Sequence, residues 1–391
     1  MFFVIVPYLA GMSTYDETVA ACALNKLFGD HPKPILQQME EAGSALALFE
    51  NNLDRSELDW AVQELEKVQK GGFRFISLFD EDYPQPLRDL PDPPFGIYLN
   101  GSTSPAEIFT LRPMVAFVGT RDMSPYGRAW CQKLVKGLAD AHVPPTIVSG
   151  LALGIDGVSH QTALECGLPT IGVMATGIEE VYPRQHEQLA MNMVRSPGCA
   201  LLTDYPMHTM SMAWNFIRRN RIIAGLARAV VVVESKSKGG SLMTARYANE
   251  YGRDLFAVPG RLDDTRSAGC NSLIESQMAQ IITSPEQLVD ALGLGGQHRH
   301  RGQGGSWVTY QPGDPPEEIL RARLTRHYGP GSPLIPVAQA IQAERGISAE
   351  ELSARLQRPY PEMLASLGSL EADGIITTDL LGRCSLTASW S

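Results

Sequence analysis

The chain has 391 residues, of which 44% are hydrophobic and 19% are charged, and its formal net charge is −10. This length exceeds what one hydrophobic core usually serves, so two or three domains are expected, and the composition excludes wholesale disorder. Because the chain is acidic overall, bulk adhesion to polyanions is disfavoured, and any nucleic-acid site has to be a concentrated basic patch.

Two features bear on location. The N-terminal MFFVIVPYLAG is apolar but short and lacks a basic leader, and no stretch reaches the roughly 18 uninterrupted apolar residues that a membrane-spanning helix needs. The six cysteines lie far apart, with no C-x-x-C pair, which favours buried, reduced thiols. We therefore predict a cytoplasmic protein with no membrane contact.

The N-terminal residues 1–70 predict a small helical domain. Apolar side chains recur at three- and four-residue intervals in TYDETVAACALNKLF, PILQQMEEAGSALALFE and SELDWAVQELEKVQ, which is the helical period. The following segment, up to residue 113, is rich in proline and predicts extended structure that joins two domains.

From Met114 onwards, short runs of apolar residues without polar alternation, which we call bare runs, alternate with helical stretches. The runs are MVAFVG, TIVSG, IGVMATG, CALLTD, AVVVVE, DLFAVPG and QIITS. Strands without polar alternation are typical of parallel sheets that are buried on both faces. We predict an α/β fold with a Rossmann-like, doubly wound and mostly parallel sheet within residues 71–291, in which ligands bind beyond the carboxyl ends of the strands.

The C-terminal part predicts a linker followed by a third domain. Residues 292–314 are rich in Gly, Gln and basic residues without periodicity, which indicates a flexible linker. Residues 315–391 have the pattern of a winged helix-turn-helix, with a capping box at Ser348 and Glu351 and a wing hairpin in IITTDLLGRCSL. We assign residues 315–391 to a winged-helix domain.

The loops after the first two bare runs are candidate anion sites. VGTR supplies Gly119, Thr120 and Arg121 ahead of a predicted helix, whose N-terminus favours negative charge. In SGLALGIDGVSH, Ser149 and Gly150 are plausible anion contacts, but the glycine spacing is not the dinucleotide fingerprint. A plain turn at Gly119 and an ion pair at Arg121 are the structural alternatives.

The strongest charge signal lies in residues 215–253, which carry eight Lys or Arg against two Glu. Its loop SKSKGGSLMTA follows the strand AVVVVE, and no Walker motif is present, so a nucleotide-triphosphate loop is excluded. A basic edge with nearby aromatic residues fits a chain of phosphates better than one small ligand. The candidate contacts here are Arg218, Asn220, Arg221, Lys236, Lys238, Gly239, Gly240 and Ser241. Some of the arginines are expected to pair internally, and Asn220 and Arg221 are the foremost candidates for a buried, structural role.

Catalytic signatures are weak. There is no G-x-S-x-G elbow, Glu179 and Glu180 fit a cap or a surface role, and His160 fits packing or capping better than catalysis. The HRH sequence at residues 298–300 lies in the predicted linker and is weak evidence for a metal. We therefore predict no catalytic residue, no cofactor and no metal.

Five segments together resemble the DNA-processing protein A (DprA/Smf) family: VAFVGTR, SGLALGIDGVSH, GVMATGIEEVYPRQH, FIRRNRIIAGLARAVVVVESKSKGGSLMTARYANEYGRDLFAVPG and GCNSLI. The resemblance covers about residues 72–285. It implies a bacterial, non-enzymatic protein that binds and protects single-stranded DNA during natural transformation, loads a RecA-type recombinase onto it, and forms a homodimer through the Rossmann-like domain. It also implies a SAM-like N-terminal domain.

Position by position, the resemblance assigns DNA contacts to Arg121 and Lys238. It also assigns one to Asn271, on weaker support. The chain departs from the family pattern at GGS, where Ser-Gly-Ser is common, and in MHTMSMAWNF, where a proline-rich run is usual. The predicted recognition helix PYPEMLASLGSLEADG has three acidic residues and no Lys or Arg, so we expect the C-terminal domain not to bind DNA.

Two enzyme hypotheses stand beside this interpretation. The first is a nucleotide-processing hydrolase of the lysine-decarboxylase-like group, which resembles this chain in its glycine-rich loop. KGGSLMTARYANE lacks the third glycine of that group's P-G-G-x-G-T-x-x-E signature and places Glu250 too far along. The second, a nicotinamide oxidoreductase, lacks its glycine fingerprint. The sequence leaves open whether the organism is transformable, which surface contacts the recombinase, and the dimer geometry.

Overall fold

The computed structural model of the protein describes residues 17–29, 35, 38, 44–47, 54–295, 320–321, 324–325, 328–329, 331–344, 346–379 and 382–386. The chain divides into two compact units between residues 296 and 297. None of the helices in these described ranges is long and apolar enough to cross a membrane.

A nine-stranded sheet organises the first unit. Its strands are β1 (Arg74–Ser77), β2 (Gly96–Asn100), β3 (Met114–Val118), β4 (Thr146–Ser149), β5 (Thr170–Val173), β6 (Ala200–Thr203), β7 (Ala229–Val232), β8 (Asp254–Ala257) and β9 (Gln280–Ile281). They lie in the order β1-β2-β6-β5-β4-β3-β7-β8-β9. Every neighbouring pair from β6 to β9 is parallel. The mostly parallel α/β sheet is therefore confirmed, with one strand in each of the seven bare runs.

Helices cover both faces of this sheet. They are α1 (Glu17–Phe28), α2 (Arg55–Lys70), α3 (Gln85–Arg88), α4 (Pro105–Thr110), α5 (Pro125–Ala139), α6 (Ile155–Glu165), α7 (Glu187–Arg195), α8 (Ala213–Leu226), α9 (Ser241–Glu250), α10 (Ala268–Glu275) and α11 (Pro285–Ala291). Alternate residues of β3 point to opposite faces. Val115 and Phe117 pack with residues of α5, α6 and α11. Ala116 and Val118 pack with residues of α1, α8 and α9.

The proline-rich segment before β3 belongs to the sheet. β1 and β2 pair with each other antiparallel, and β2 pairs antiparallel with β6. The buried side chains of Val19, Leu58 and Ile76 lie in one cluster with those of the sheet. The structure therefore has no break in packing at residue 70, because α1 and α2 share the core of the first unit.

The second unit contains α12 (Leu334–Ala343), β10 (Ile347–Ser348), α13 (Ala349–Leu356), α14 (Tyr360–Ala372), β11 (Ile376–Thr378) and β12 (Arg383–Leu386). The strands form an antiparallel sheet in the order β10-β12-β11. The capping box at Ser348 and Glu351 is present at the start of α13. Of the predicted linker, residues 292–295 belong to the first unit, where Leu292 and Leu294 are buried. Residues 296–314, and HRH with them, lie outside the described residues.

Candidate nucleic-acid interface

Four loops meet at the carboxyl edge of the sheet. They follow the adjacent parallel strands β5, β4, β3 and β7 and comprise residues 174–186, 150–154, 119–124 and 233–240. Three strand spacings of roughly 4.8 Å place them along about 14 Å. We call these four loops the rim.

The two loops that carry Arg121 and Lys238 are joined directly. The backbone N–H of Thr120 donates to the carbonyl of Glu234 at 2.7 Å. Lys236 Nζ lies 3.7 Å from Asp122 Oδ2. Gly119 is required at this approach, since a Cβ there would lie 2.5 Å from Ile155 Cγ1 and 3.0 Å from the carbonyl of Glu234. The rim therefore brings both predicted cationic loops together.

Arg121 and Lys238 are both exposed. Among the described residues, neither has an ion pair to a carboxylate. The guanidinium of Arg121 lies 4.9 Å from the centre of the Phe216 ring, an attractive cation–π arrangement that limits its freedom without neutralising it. Both charges are thus available to a phosphate.

The N-terminus of α5 is occupied by an internal carboxylate. Glu234 accepts hydrogen bonds from the backbone N–H of Ser124 at 2.8 Å and from its hydroxyl at 2.6 Å. A Cβ on Gly127 would lie 2.4 Å from Glu234 Oε2. The helix end behind VGTR was predicted to attract a bound anion, but Glu234 fills that position. A ligand phosphate at this loop therefore has to rely on side-chain cations.

The loop after β4 is closed in the same way. The N–H of Gly150 donates to Asp156 Oδ2 at 3.1 Å, and its carbonyl accepts from Arg219 Nη1 at 2.6 Å. The hydroxyl of Ser149 is buried and donates to the carbonyl of Phe117 at 2.6 Å. Ser149 and Gly150 were predicted as anion contacts, and in the structure the Ser149 hydroxyl and both backbone groups of Gly150 have internal partners.

Arg219 ties two strand ends together beneath the rim. Its Nη1 donates to the carbonyl of Val173 as well as to that of Gly150, so it joins the ends of β5 and β4. Burial lowers the pKa of Arg219 to about 10, while the nearby Asp156 carboxylate opposes this shift. Arg219 therefore remains protonated at neutral pH and forms a fixed, buried support for the rim.

An aromatic pair stands beside Arg121. The ring centres of Tyr182 and Phe216 lie 5.3 Å apart, and Tyr182 is 41% exposed. Arg184 is exposed two residues further along the same loop, and His186 Nδ1, 2.8 Å from the carbonyl of Leu151, holds this segment against the neighbouring loop. The sequence-based prediction for this loop concerned only Glu179 and Glu180 and missed Tyr182 and Arg184, although an aromatic residue two positions before a basic one in VYPRQH is a usable signal.

The sequence of the chain also matches that of a known protein family. The sequence model of the family described as DNA recombination-mediator protein A matches residues 74–293, which is more than half of the chain. The chain belongs to this family. Protein Smf from Synechocystis is 40% identical over 231 residues, which cover 59% of this chain and 57% of that protein.

Two solved structures of relatives are also similar. The X-ray structure of DNA processing protein A from Streptococcus pneumoniae has a TM-score of 0.57 and 30% identity, and the match covers 70% of this chain and 95% of that one. The structure of DNA processing protein A from Helicobacter pylori, described for its single-stranded DNA binding mode, has a TM-score of 0.50 and 28% identity, and the match covers 56% of this chain and 95% of that one. The expected family membership is thus confirmed.

In this member of the family, the Lys and Arg side chains of residues 215–253 are divided between the rim and the interior. Arg221 is 3% exposed, pairs with Asp204 at 2.7 Å and donates to the carbonyl of Asp92. Arg218 donates to the carbonyl of Gly29 and lies 4.0 Å from Asp204. Arg221 was predicted as a candidate DNA contact and also as a candidate for a buried, structural role, and its buried pair agrees with the second of these. Arg218 is turned towards the end of α1.

The remaining predicted residues shape the loop after β7. A Cβ on Gly239 would lie 2.4 Å from Ser235 Oγ, whereas one on Gly240 would meet open space. The hydroxyl of Ser241 donates to Ser235 Oγ at 2.9 Å, and the amide of Asn220 donates to the carbonyl of Gly240 at 3.3 Å. These contacts fix the turn that carries Lys236 and Lys238.

Asn271 has a structural partner. Its side-chain amide exchanges two hydrogen bonds of 3.1 Å with the backbone of Gly260. Tyr247 and Tyr251 stack on each other, and the hydroxyl of Tyr251 donates to Asp92 at 2.9 Å. Both tyrosines line a cavity of about 480 Å³ with Pro91 and Asp92.

Proposed function

We propose that the protein binds single-stranded DNA along the rim. The observation that carries this proposal is the meeting of two loops that present Arg121 and Lys238, both exposed and without an acidic partner among the described residues. Arg184, on the loop after β5, and Lys236, on the same loop as Lys238, are two further exposed cations of the rim. Four exposed cations along one edge of an acidic chain match a strand of phosphates better than a single small anion.

The strand is held by its backbone, and its bases contact aromatic faces. Phosphate contacts position a strand without identifying its sequence, so little base preference is expected. Phe216 and Tyr182 offer ring surface beside Arg121, and base stacking on aromatic side chains tolerates every base. Because bases in a duplex are already stacked and paired, we expect single strands to bind more tightly than duplexes.

Fluorescence anisotropy with a labelled oligothymidine and its duplex counterpart tests this proposal. Arg121→Ala and Lys238→Ala are each expected to weaken single-strand binding at least tenfold, which corresponds to the loss of one charged hydrogen bond. Arg246→Ala is the matched control, because Arg246 is an exposed cation on α9 whose side chain pairs with Glu250 at 2.8 Å. Unchanged affinity in both rim variants, or equal loss in the control, contradicts the assignment.

The biological role proposed here is a non-enzymatic one. The bound strand is protected during natural transformation and passed to a RecA-type recombinase, and these partners imply a cytoplasmic location. The family description as a recombination mediator supports this role. A strand-exchange assay in which the recombinase must displace a single-strand-binding competitor tests this role. The rate of strand exchange is expected to rise when this protein is added and not when Arg121→Ala is added.

We also propose a homodimer through the edge of the sheet at β9. Strand β9 ends the sheet, and Ile281 on it and Met278 just before it are exposed by 42% and 44%. The unpaired edge of β9 offers backbone groups, and these two side chains offer apolar surface, to another chain. Sedimentation velocity is expected to show a dimer for the native protein and a monomer for Ile281→Arg, and a monomeric native protein would rule out this interface.

For residues 315–391 we propose a winged-helix domain that does not bind DNA. The order of α12, β10, α13, α14, β11 and β12 supports the domain type. Helix α14, which would be its recognition helix, carries Glu362 and Glu371, followed by Asp373, and no Lys or Arg. Such a helix repels phosphates. A chain that ends at residue 296 is expected to keep its affinity for single-stranded DNA.

A further inference from the structure

The start of α8 and the segment before it expose an apolar face. Met210 is 69% exposed, Met212 49%, Trp214 48% and Ile217 48%. Residues 210–217 contain no Asp or Glu, although the whole chain carries a net charge of −10. Exposed large apolar side chains in a contiguous group indicate a binding surface.

This face continues the rim. In a helix with 3.6 residues per turn, Ile217 lies about 60° from Trp214 and about 100° from Phe216. Phe216 faces Arg121 at 4.9 Å. On the other side of Ile217, the ring of Trp214 lies 5.8 Å from the guanidinium carbon of Arg218. The surface therefore runs from the aromatic pair of the rim, across Ile217, to an indole ring.

The segment is also fixed before any ligand binds. Asn215 is 1% exposed, and its amide nitrogen donates to the carbonyl of Ala175 at 3.2 Å and to that of Met210 at 3.1 Å. These bonds attach the first turn of α8 to the loop after β5 and hold Met210 beside it. A surface that is ordered in advance avoids part of the entropic cost of binding.

We propose that Trp214 is a second base-stacking platform, reached by single-stranded DNA that leaves the rim across Ile217. This inference rests on the proposed function of the rim. Two features favour DNA bases as the occupant: the continuity with Phe216, whose ring faces the exposed cation Arg121, and the absence of carboxylates in residues 210–217. A second copy of this chain and a protein partner are the alternative occupants, which the experiment separates from DNA.

Tryptophan fluorescence tests the platform in the full-length protein. Stacking of a base on an indole quenches its emission, and the chain has five tryptophans, so Trp214→Phe is compared with Trp130→Phe. Trp130 is the control because it packs against Tyr126 and Lys133 on α5. Oligothymidine is expected to quench the native protein and the Trp130→Phe variant, while Trp214→Phe loses most of the quenching and keeps its affinity within a few-fold.

Oligonucleotide length separates the platform from the rim. Trp214→Ala is expected to weaken binding of a long oligothymidine by about 5- to 150-fold, the range for one lost base stack. The affinity for a short oligonucleotide that spans only the rim is expected to be the same in Trp214→Ala and the native protein. Circular dichroism and thermal unfolding of each variant exclude a folding defect, and Trp214→Phe retains an aromatic ring if the alanine variant fails to fold.

Each remaining outcome overturns the inference in a distinguishable way. If Arg121→Ala weakens binding but Trp214→Ala does not, the rim binds DNA and the platform is refuted alone. If the native protein binds no single-stranded DNA, the proposed function fails and the platform with it. If Trp214→Ala changes the sedimentation coefficient and not the affinity for DNA, the face is an interface between copies of the chain and the inference is refuted.

Discussion

Replacing Arg121 by alanine is expected to change the salt dependence of DNA binding as well as its strength. Each phosphate neutralised on a single strand contributes a slope of roughly −0.7 to the plot of log K against log salt. The rim presents four exposed cations, Arg121, Arg184, Lys236 and Lys238, so the native slope is about −3. Removing Arg121 reduces it to about −2. Affinity falls at least tenfold at low salt, because one charged hydrogen bond contributes about 1.5 to 3 kcal/mol.

The assay is an anisotropy titration of labelled oligothymidine across a series of KCl concentrations. The native protein, Arg121→Ala, Lys238→Ala and the double variant are measured in parallel, and the double variant is expected to approach a slope of about −1.4. Arg246→Ala serves again as the exposed cation outside the rim. A native affinity that is insensitive to salt, or slopes that do not change in the rim variants, would refute the electrostatic model of the rim.

Three further predictions concern charge pairs and a buried histidine. Asp122→Asn releases Lys236 from an exposed pair of 3.7 Å and is expected to raise single-strand affinity by up to about fivefold in the same titration. Asp156→Ala leaves the buried guanidinium of Arg219 without its carboxylate, and urea denaturation is expected to show a loss of about 3 to 5 kcal/mol in the free energy of unfolding. Burial lowers the pKa of His160 from 6.5 to about 3, so its contribution to stability is complete above pH 6.5 and falls by about 2 kcal/mol by pH ~5. His160→Asn is expected to lose that part of the acid sensitivity, and an unchanged pH profile of unfolding would show that the native imidazole is not held neutral by burial.

The sheet could be predicted because its signal is local. Each of the seven bare apolar runs is long enough for one strand, and the strands β3 to β7 in five of them are buried throughout, so periodicity alone indicates a parallel sheet. β1 and β2 were missed as strands because prolines surround them. Their place in the sheet depends on the pairing of Tyr98 in β2 with Thr203 in β6, over a separation that no local pattern contains.

The candidate site was predictable only in part, for a related reason. The positions of Arg121 and Lys238 follow from the rule that loops at the carboxyl ends of parallel strands meet. The partner of a cation is a tertiary property: Arg221 and Arg218 both approach Asp204, and nothing in the sequence around NFIRRNR identifies that carboxylate. The same holds for Glu234, which comes from a different loop to fill the N-terminus of α5.

The distribution of charge explains why four exposed cations suffice for the proposed binding of single-stranded DNA. Arg219 and Arg221 are buried with Asp156 and Asp204 as their counter-charges, so they stabilise strand ends and helices and add little net field at the surface. The rest of the chain is acidic, with a net charge of −10, and therefore repels a polyanion wherever the rim is not involved. The path of a bound strand is then set by a short row of side chains on fixed loops. Because that row is short, each of its members carries a measurable share of the affinity, which is why single substitutions at the rim are expected to have clear effects.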